Sequence, residues 1–135
     1  MRRVHTAIVV AAAALALGGC AAQGPTSAGD FKGDKRAVAS VVDDIQSAGR
    51  SGNPDKVCND ILTTEFANRF KTGNTSCVDE IEDAMRDVND YDLEVQDVTV
   101  TGDTATAKVR QGKEGRTATF TFERVGSGWR ASGIS

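Results

Sequence analysis

Apolar positions along the chain follow two different periods. Between residues 34 and 88 they recur at helical spacing. Val38, Val41, Val42 and Ile45 share one face of a first helix over residues 35–48, with Asp34 at its start and Gly49 as its stop. Asn53-Pro54 opens a second helix, because Asn caps and Pro tolerates the first helical position; Val57, Cys58, Ile61 and Leu62 form its inner face. Thr64 opens a short third helix in which Phe66 and Phe70 stand one turn apart, ended by Gly73. Ser76 and Asp79 form a capping box before a fourth helix that turns Cys77, Ile81, Ala84, Met85 and Val88 inward. Its other face is charged, with Asp79, Glu80, Glu82, Asp83, Arg86 and Asp87.

After Asn89-Asp90 the period drops to two. Tyr91, Leu93 and Val95 alternate in one phase, and Val98 and Val100 in the other. A bulge near Gln96-Asp97 is needed if one bent strand is to serve one core. Gly102-Asp103, Gly112 to Gly115 and Gly126-Ser127-Gly128 then separate three further alternating runs: Ala105, Ala107 and Val109; Ala118, Phe120 and Phe122; Trp129 and Ala131. Helices first and hairpins after predict an α+β domain over residues 34–135, its N-terminal helices packed on a curved four-stranded antiparallel sheet.

The first nineteen residues follow a different logic. Arg2 and Arg3 precede an uncharged run from Ala7 to Leu17, and Leu17-Gly18-Gly19-Cys20 follows at once. At ~1.5 Å per residue the run covers about half of the ~30 Å of bilayer hydrocarbon, too little to span it. The pattern resembles a bacterial lipoprotein signal peptide over residues 1–19, with Cys20 as the thiol that takes the lipid. Acyl chains contribute about 0.8 kcal/mol per buried methylene, so two or three hold the protein on membrane lipid unaided. The expected location is the extracytoplasmic face of the cell membrane. From Ala21 to Gly33 the chain is small and polar, which reads as a tether after the acylated Cys20.

Charge narrows the function. The 135-residue chain carries 16 Lys and Arg against 19 Asp and Glu; loss of residues 1–19 removes Arg2 and Arg3 and takes the net charge from −3 to −5. An acidic domain repels phosphate backbones, so no nucleic acid is expected as a partner. His5 is the single histidine and leaves with the leader, which removes imidazole catalysis and imidazole metal ligation from the remainder. No cofactor is called for by any motif.

A first long helix, a Cys-bearing second helix, Leu62-Thr63-Thr64-Glu65-Phe66, a Ser76-Cys77 helix, and a meander through Gly102-Asp103-Thr104-Ala105 and Gly126-Ser127-Gly128-Trp129-Arg130 resemble the nuclear transport factor two-like superfamily. More narrowly, the order is similar to small actinobacterial lipoproteins of that class, over residues 34–135. The resemblance implies a cone: a curved sheet around helices, with a cavity at the open end. It does not imply a reaction, because the superfamily holds dehydratases, isomerases, cyclases and non-catalytic members. Catalysis in it uses an Asp base with Tyr, His or Asp donors, and here Tyr91 is the sole tyrosine. A non-catalytic binding or interaction module is therefore expected, with a dehydratase- or isomerase-like enzyme as the alternative.

Four candidate sites follow. With Cys20 committed to lipid, Cys58 and Cys77 are an even pair in an oxidising compartment, on inward helix faces; a disulfide is expected, against two buried thiols or a redox pair. Asp87-Val88-Asn89-Asp90-Tyr91-Asp92 begins like a calcium loop but puts Asp92 where the turn needs Gly, so it reads as a solvated acidic stretch and no metal site is expected. Tyr91, Ala105, Ala107, Phe120, Phe122 and Trp129 either pack the helices or line a small apolar cavity. On the other sheet face, Thr104, Thr106, Lys108, Arg110, Thr117, Thr119, Thr121 and Glu123 make either a wet surface or a dock for an envelope protein.

Overall fold

In the computed structural model of the protein, residues 26–135 are described; the leader over 1–19, Cys20 and the first part of the tether lie outside them. Helix α1 runs Gly33–Ser51 and ends at Gly52, whose left-handed φ of 61° suits glycine. Gly49 does not stop the helix as predicted. It lies inside α1 because the Tyr91 ring rests on it: a Cβ there would stand 2.6 Å from Tyr91 Cδ1. Asp34 does not cap α1 either; its carboxylate takes the Arg124 guanidinium at 2.9 Å.

Asn53 Oδ1 accepts the Lys56 N–H at 3.0 Å and starts α2, Pro54–Lys56, which widens into a π-helical segment, Val57–Ile61. Val57, Cys58, Ile61 and Leu62 are all buried, as their spacing predicts. The short α3, Thr64–Arg69, is capped one residue earlier than predicted, by Thr63, whose Oγ1 accepts the Phe66 N–H at 3.2 Å. Helix α4, Cys77–Arg86, begins with the expected Ser76–Asp79 capping box. The Cys58 and Cys77 sulfurs are bonded, with Cα atoms 6.1 Å apart, which ties the π-helical segment to the first residue of α4.

Strands β1 (Leu93–Thr101), β2 (Thr104–Gln111), β3 (Arg116–Val125) and β4 (Gly128–Ile134) form one antiparallel meander in that order. The β1–β2 register shifts between Val95 and Asp97, where the phase change requires a bulge, so Val95 and Val98 both reach the core. Helices packed on this sheet make the α+β arrangement. Val38 and Val42 of α1 share the core with Val98, Val109 and Phe122, the largest side chains that are fully buried. On the β4 side, the chain between α2 and α3 bridges to the sheet through Thr63 N–H and Ala131 C=O at 2.8 Å.

Packing begins ahead of residue 34, before the boundary the composition suggests. Ser27 Oγ accepts the Val95 N–H at 2.9 Å, and the Ser27 and Ala28 N–H groups donate to the Asp43 carboxylate at 2.9 and 3.0 Å. A short 3₁₀ turn, Ala28–Asp30, then leads past the half-buried Phe31 into α1. An edge strand leaves N–H groups that must find acceptors, and the end of the tether supplies one.

Candidate functional site

The last two turns of α1 bring Ile45, Gln46 and Gly49 to one wall of a concavity beside the start of the sheet. Together with Val57, Ile81, Ala84 and Met85, and with Leu93, Phe120 and Ile134 of the sheet, they line an apolar cavity of about 430 Å³. Its existence follows from how α4 is held. Only Cys77 of that helix is buried; Ile81 and Met85 are half-buried, Ala84 is exposed, and Val88, beyond the helix end, is 42% exposed. The stripe predicted to be inward thus faces the cavity instead of a closed core.

Tyr91 forms the wall between α1 and α4. Its ring covers Gly49, and its hydroxyl donates to the Met85 carbonyl, one residue from the end of α4. Gln46 is a buried polar residue at the same wall, and its Oε1 accepts the Leu93 N–H at 2.7 Å, which starts β1. Asp90 stands at the rim. The Asp92 N–H at 2.9 Å and the Lys113 N–H at 3.2 Å hold its carboxyl below the usual carboxylate range, so it stays ionised. An Arg50–Asp92 ion pair closes the rim on the α1 side.

Compared with protein-family models, with curated proteins and with solved structures, the chain matches none.

Of the six residues that the sequence offers as pocket lining, the structure brings Tyr91 and Phe120 to the cavity. Ala105, Ala107, Phe122 and Trp129 do not line it and are 4%, 0%, 1% and 6% exposed within the packed core. Their small members let α1 approach the sheet closely, and Val38 and Val42 fill the space that remains. Trp129 has a separate environment: the Arg124 guanidinium lies 4.4 Å from its ring centroid, and its buried indole N–H has no acceptor among the described residues. Asp34, and after it Asp103, raise the Arg124 pKa above its ordinary value, so this cation is permanent.

Ile45, Ile81, Met85 and Leu93 are cavity residues that helical and strand periodicity alone assigns to the core. Periodicity carries no signal that separates them from a closed core face, because it gives the direction of a side chain and not the distance of the facing element. The threonine face carries a larger concavity of about 580 Å³ bordered by Thr99, Thr101, Thr104, Thr106, Thr121 and Glu123, with Arg69 at its margin. Hydroxyls dominate its lining, with Ala105, Phe122 and Ile134 as the apolar members. Among the described residues no group of three or more His, Cys, Asp or Glu could hold a metal ion, and no helix is long and apolar enough to cross a membrane.

Proposed function

We propose that the chain is a cell-envelope lipoprotein, anchored through acylated Cys20, whose cone of the nuclear transport factor two-like type binds a small apolar or amphipathic molecule without transforming it. The observation that carries this reading is the cavity between α1, α4 and the sheet. Its walls are aliphatic, Met and aromatic, and its size lies within the ~300–1,000 Å³ typical of small-molecule sites. Polar side chains at the lining are few, Gln46, Gln111, Asp90 and Tyr91, and three of them are engaged in hydrogen bonds of the fold, which leaves a mainly apolar surface to the ligand.

A dehydratase- or isomerase-like reaction is less well supported. A general base at neutral pH needs a carboxyl pushed up by desolvation. Asp90, the carboxylate that borders the cavity, is moved the other way by two backbone N–H donors. The threonine face, with its polar lining, supports a protein dock less well than the cavity supports a ligand.

Native mass spectrometry of the acylated protein, purified from its own membranes, tests the reading. Wild type is expected to carry a bound mass that Ala84→Trp removes, because an indole at this exposed α4 position reaches into the cavity without disturbing the core. Repeated preparations of wild type with no bound mass would sink it.

A further inference from the structure

The ligand class can be narrowed by asking where the anchor holds the cavity. The described chain starts at Thr26, which borders a concavity together with Asp92, Leu93, Gly112 and Lys113; Leu93 also lines the apolar cavity. Traced backwards, the chain runs from Asp34, paired with Arg124 beside the β2 start, to Ser27 against Val95, and so reaches Thr26 at the end where Tyr91 and Leu93 stand. The chain at Thr26 therefore stands at the Leu93 end of the cavity, the end we take as its mouth.

Thr26 follows Cys20 by six residues, which span at most about 20 Å when fully extended. An acyl group on Cys20 would keep the mouth within that distance of the lipid surface. Among the described residues, two of the three large hydrophobic side chains that are exposed, Val88 at 42% and Ile134 at 51%, line the cavity; Ile134 also borders the threonine-face concavity.

Resting on the pocket reading above, we propose that the cavity takes a single acyl chain of a membrane lipid, drawn from the bilayer to which the short tether holds its mouth. A volume of about 430 Å³ lies toward the low end of the ~300–1,000 Å³ of small-molecule sites, which favours one chain over two. The occupant is a separate lipid rather than the protein's own anchor. The transfer cost of about 0.8 kcal/mol per methylene is the same for either chain, but bilayer lipids surround the anchor in large excess and are the more abundant donor.

The test reconstitutes the acylated full-length mature protein in phosphatidylcholine vesicles containing a lysophosphatidylcholine with a diazirine at the end of its chain. After irradiation, adducts are expected on peptides holding Ile81 to Met85 and Tyr91. A second variant inserts twenty Gly/Ser residues between Gln23 and Gly24. Lengthening the reach from six to twenty-six residues should lower labelling about ninefold, by the roughly −3/2 power dependence of effective concentration on linker length. Labelling that is unchanged by the insertion, or confined to the tether, overturns the proposal. So does a cross-link from a diazirine fatty acid on Cys20 itself to α4, which would make the anchor the occupant. If no lipid label appears while native mass spectrometry still finds an Ala84→Trp-sensitive ligand, the lipid inference fails and the pocket reading survives; if both are blank, the pocket reading fails.

Discussion

Gly49→Ala is a substitution whose sign depends on one neighbour. In a helix interior, Ala is favoured over Gly by about 1 kcal/mol, and Gly49 lies two residues inside the end of α1. Against this, the new Cβ would stand 2.6 Å from Tyr91 Cδ1 and 3.1 Å from Cε1, and those ring atoms are not the free end of a flexible chain. The ring has to move, at an overpacking cost of about 1–3 kcal/mol, and its hydroxyl then loses the Met85 carbonyl, worth about 1 kcal/mol net. A net destabilisation of about 1–3 kcal/mol is expected. With Tyr91→Ala as the background the obstacle is gone, and Gly49→Ala should stabilise by about 1 kcal/mol, a coupling of about 2–4 kcal/mol across the pair. Urea unfolding of the four proteins, followed by the fluorescence of the sole tryptophan, Trp129, measures it. If Gly49→Ala raises stability while Tyr91 is present, the account of this wall of the cavity is wrong.

Removing the cystine with Cys58→Ala and Cys77→Ala opens a loop of 19-residue separation and should cost about 3 kcal/mol by chain entropy, read as a lower urea midpoint with a steeper slope, because the uncrosslinked denatured chain exposes more surface. Ser27→Ala orphans the Val95 N–H and should cost about 1–2 kcal/mol; faster hydrogen exchange at Val95 but not at Val109 would locate the effect, and equal protection at Val95 would contradict it. Acid should loosen α4 first. Ser76 holds Asp79 below its ordinary pKa, Thr75 and then Thr72 do so for Glu80, and the Asp92 and Lys113 N–H groups do so for Asp90. Depressed carboxyl pKa values give stability that is present above about pH 4 and lost as pH falls through the folded values, so helical signal should drop below that point. In Ser76→Ala the Asp79 share of that dependence should shrink, because the hydroxyl donor is lost while the residue 76 N–H still reaches the carboxylate.

Most of the architecture was legible because period and punctuation agree. The shift of phase between Val95 and Val98 can be met only by a bulge, and the register breaks between Val95 and Asp97. Cys58 and Cys77 could be paired from compartment and parity, and they are bonded. Gly49 was misread because glycine signals both a helix stop and a close approach, and only the distant Tyr91 decides between them. Ser27 was missed for a similar reason: a small polar segment looks unstructured until the strand edge it covers is known. At the cavity, periodicity says which way Ile81 and Met85 point but not how far α4 stands from the sheet, so a cavity wall and a core face read alike.

That distance is set by how little holds α4 in place. Its first residue is fixed by the cystine, and its last turn is held through the Met85 carbonyl by the hydroxyl of Tyr91. Between these two points Ile81 and Met85 stay half-buried and Ala84 is exposed, whereas the far half of the sheet is sealed by Val38, Val42, Val98, Val109 and Phe122. A helix of ten residues is too short to persist alone in water, so without the cystine the unpacked stripe would have to close onto the sheet or unfold. The covalent tie and the Tyr91 hydroxyl thus hold the two ends of α4 while an apolar surface stays open next to a rigid core. A half-open wall of aliphatic and Met side chains suits a long flexible chain better than a compact substrate that must be gripped on all sides.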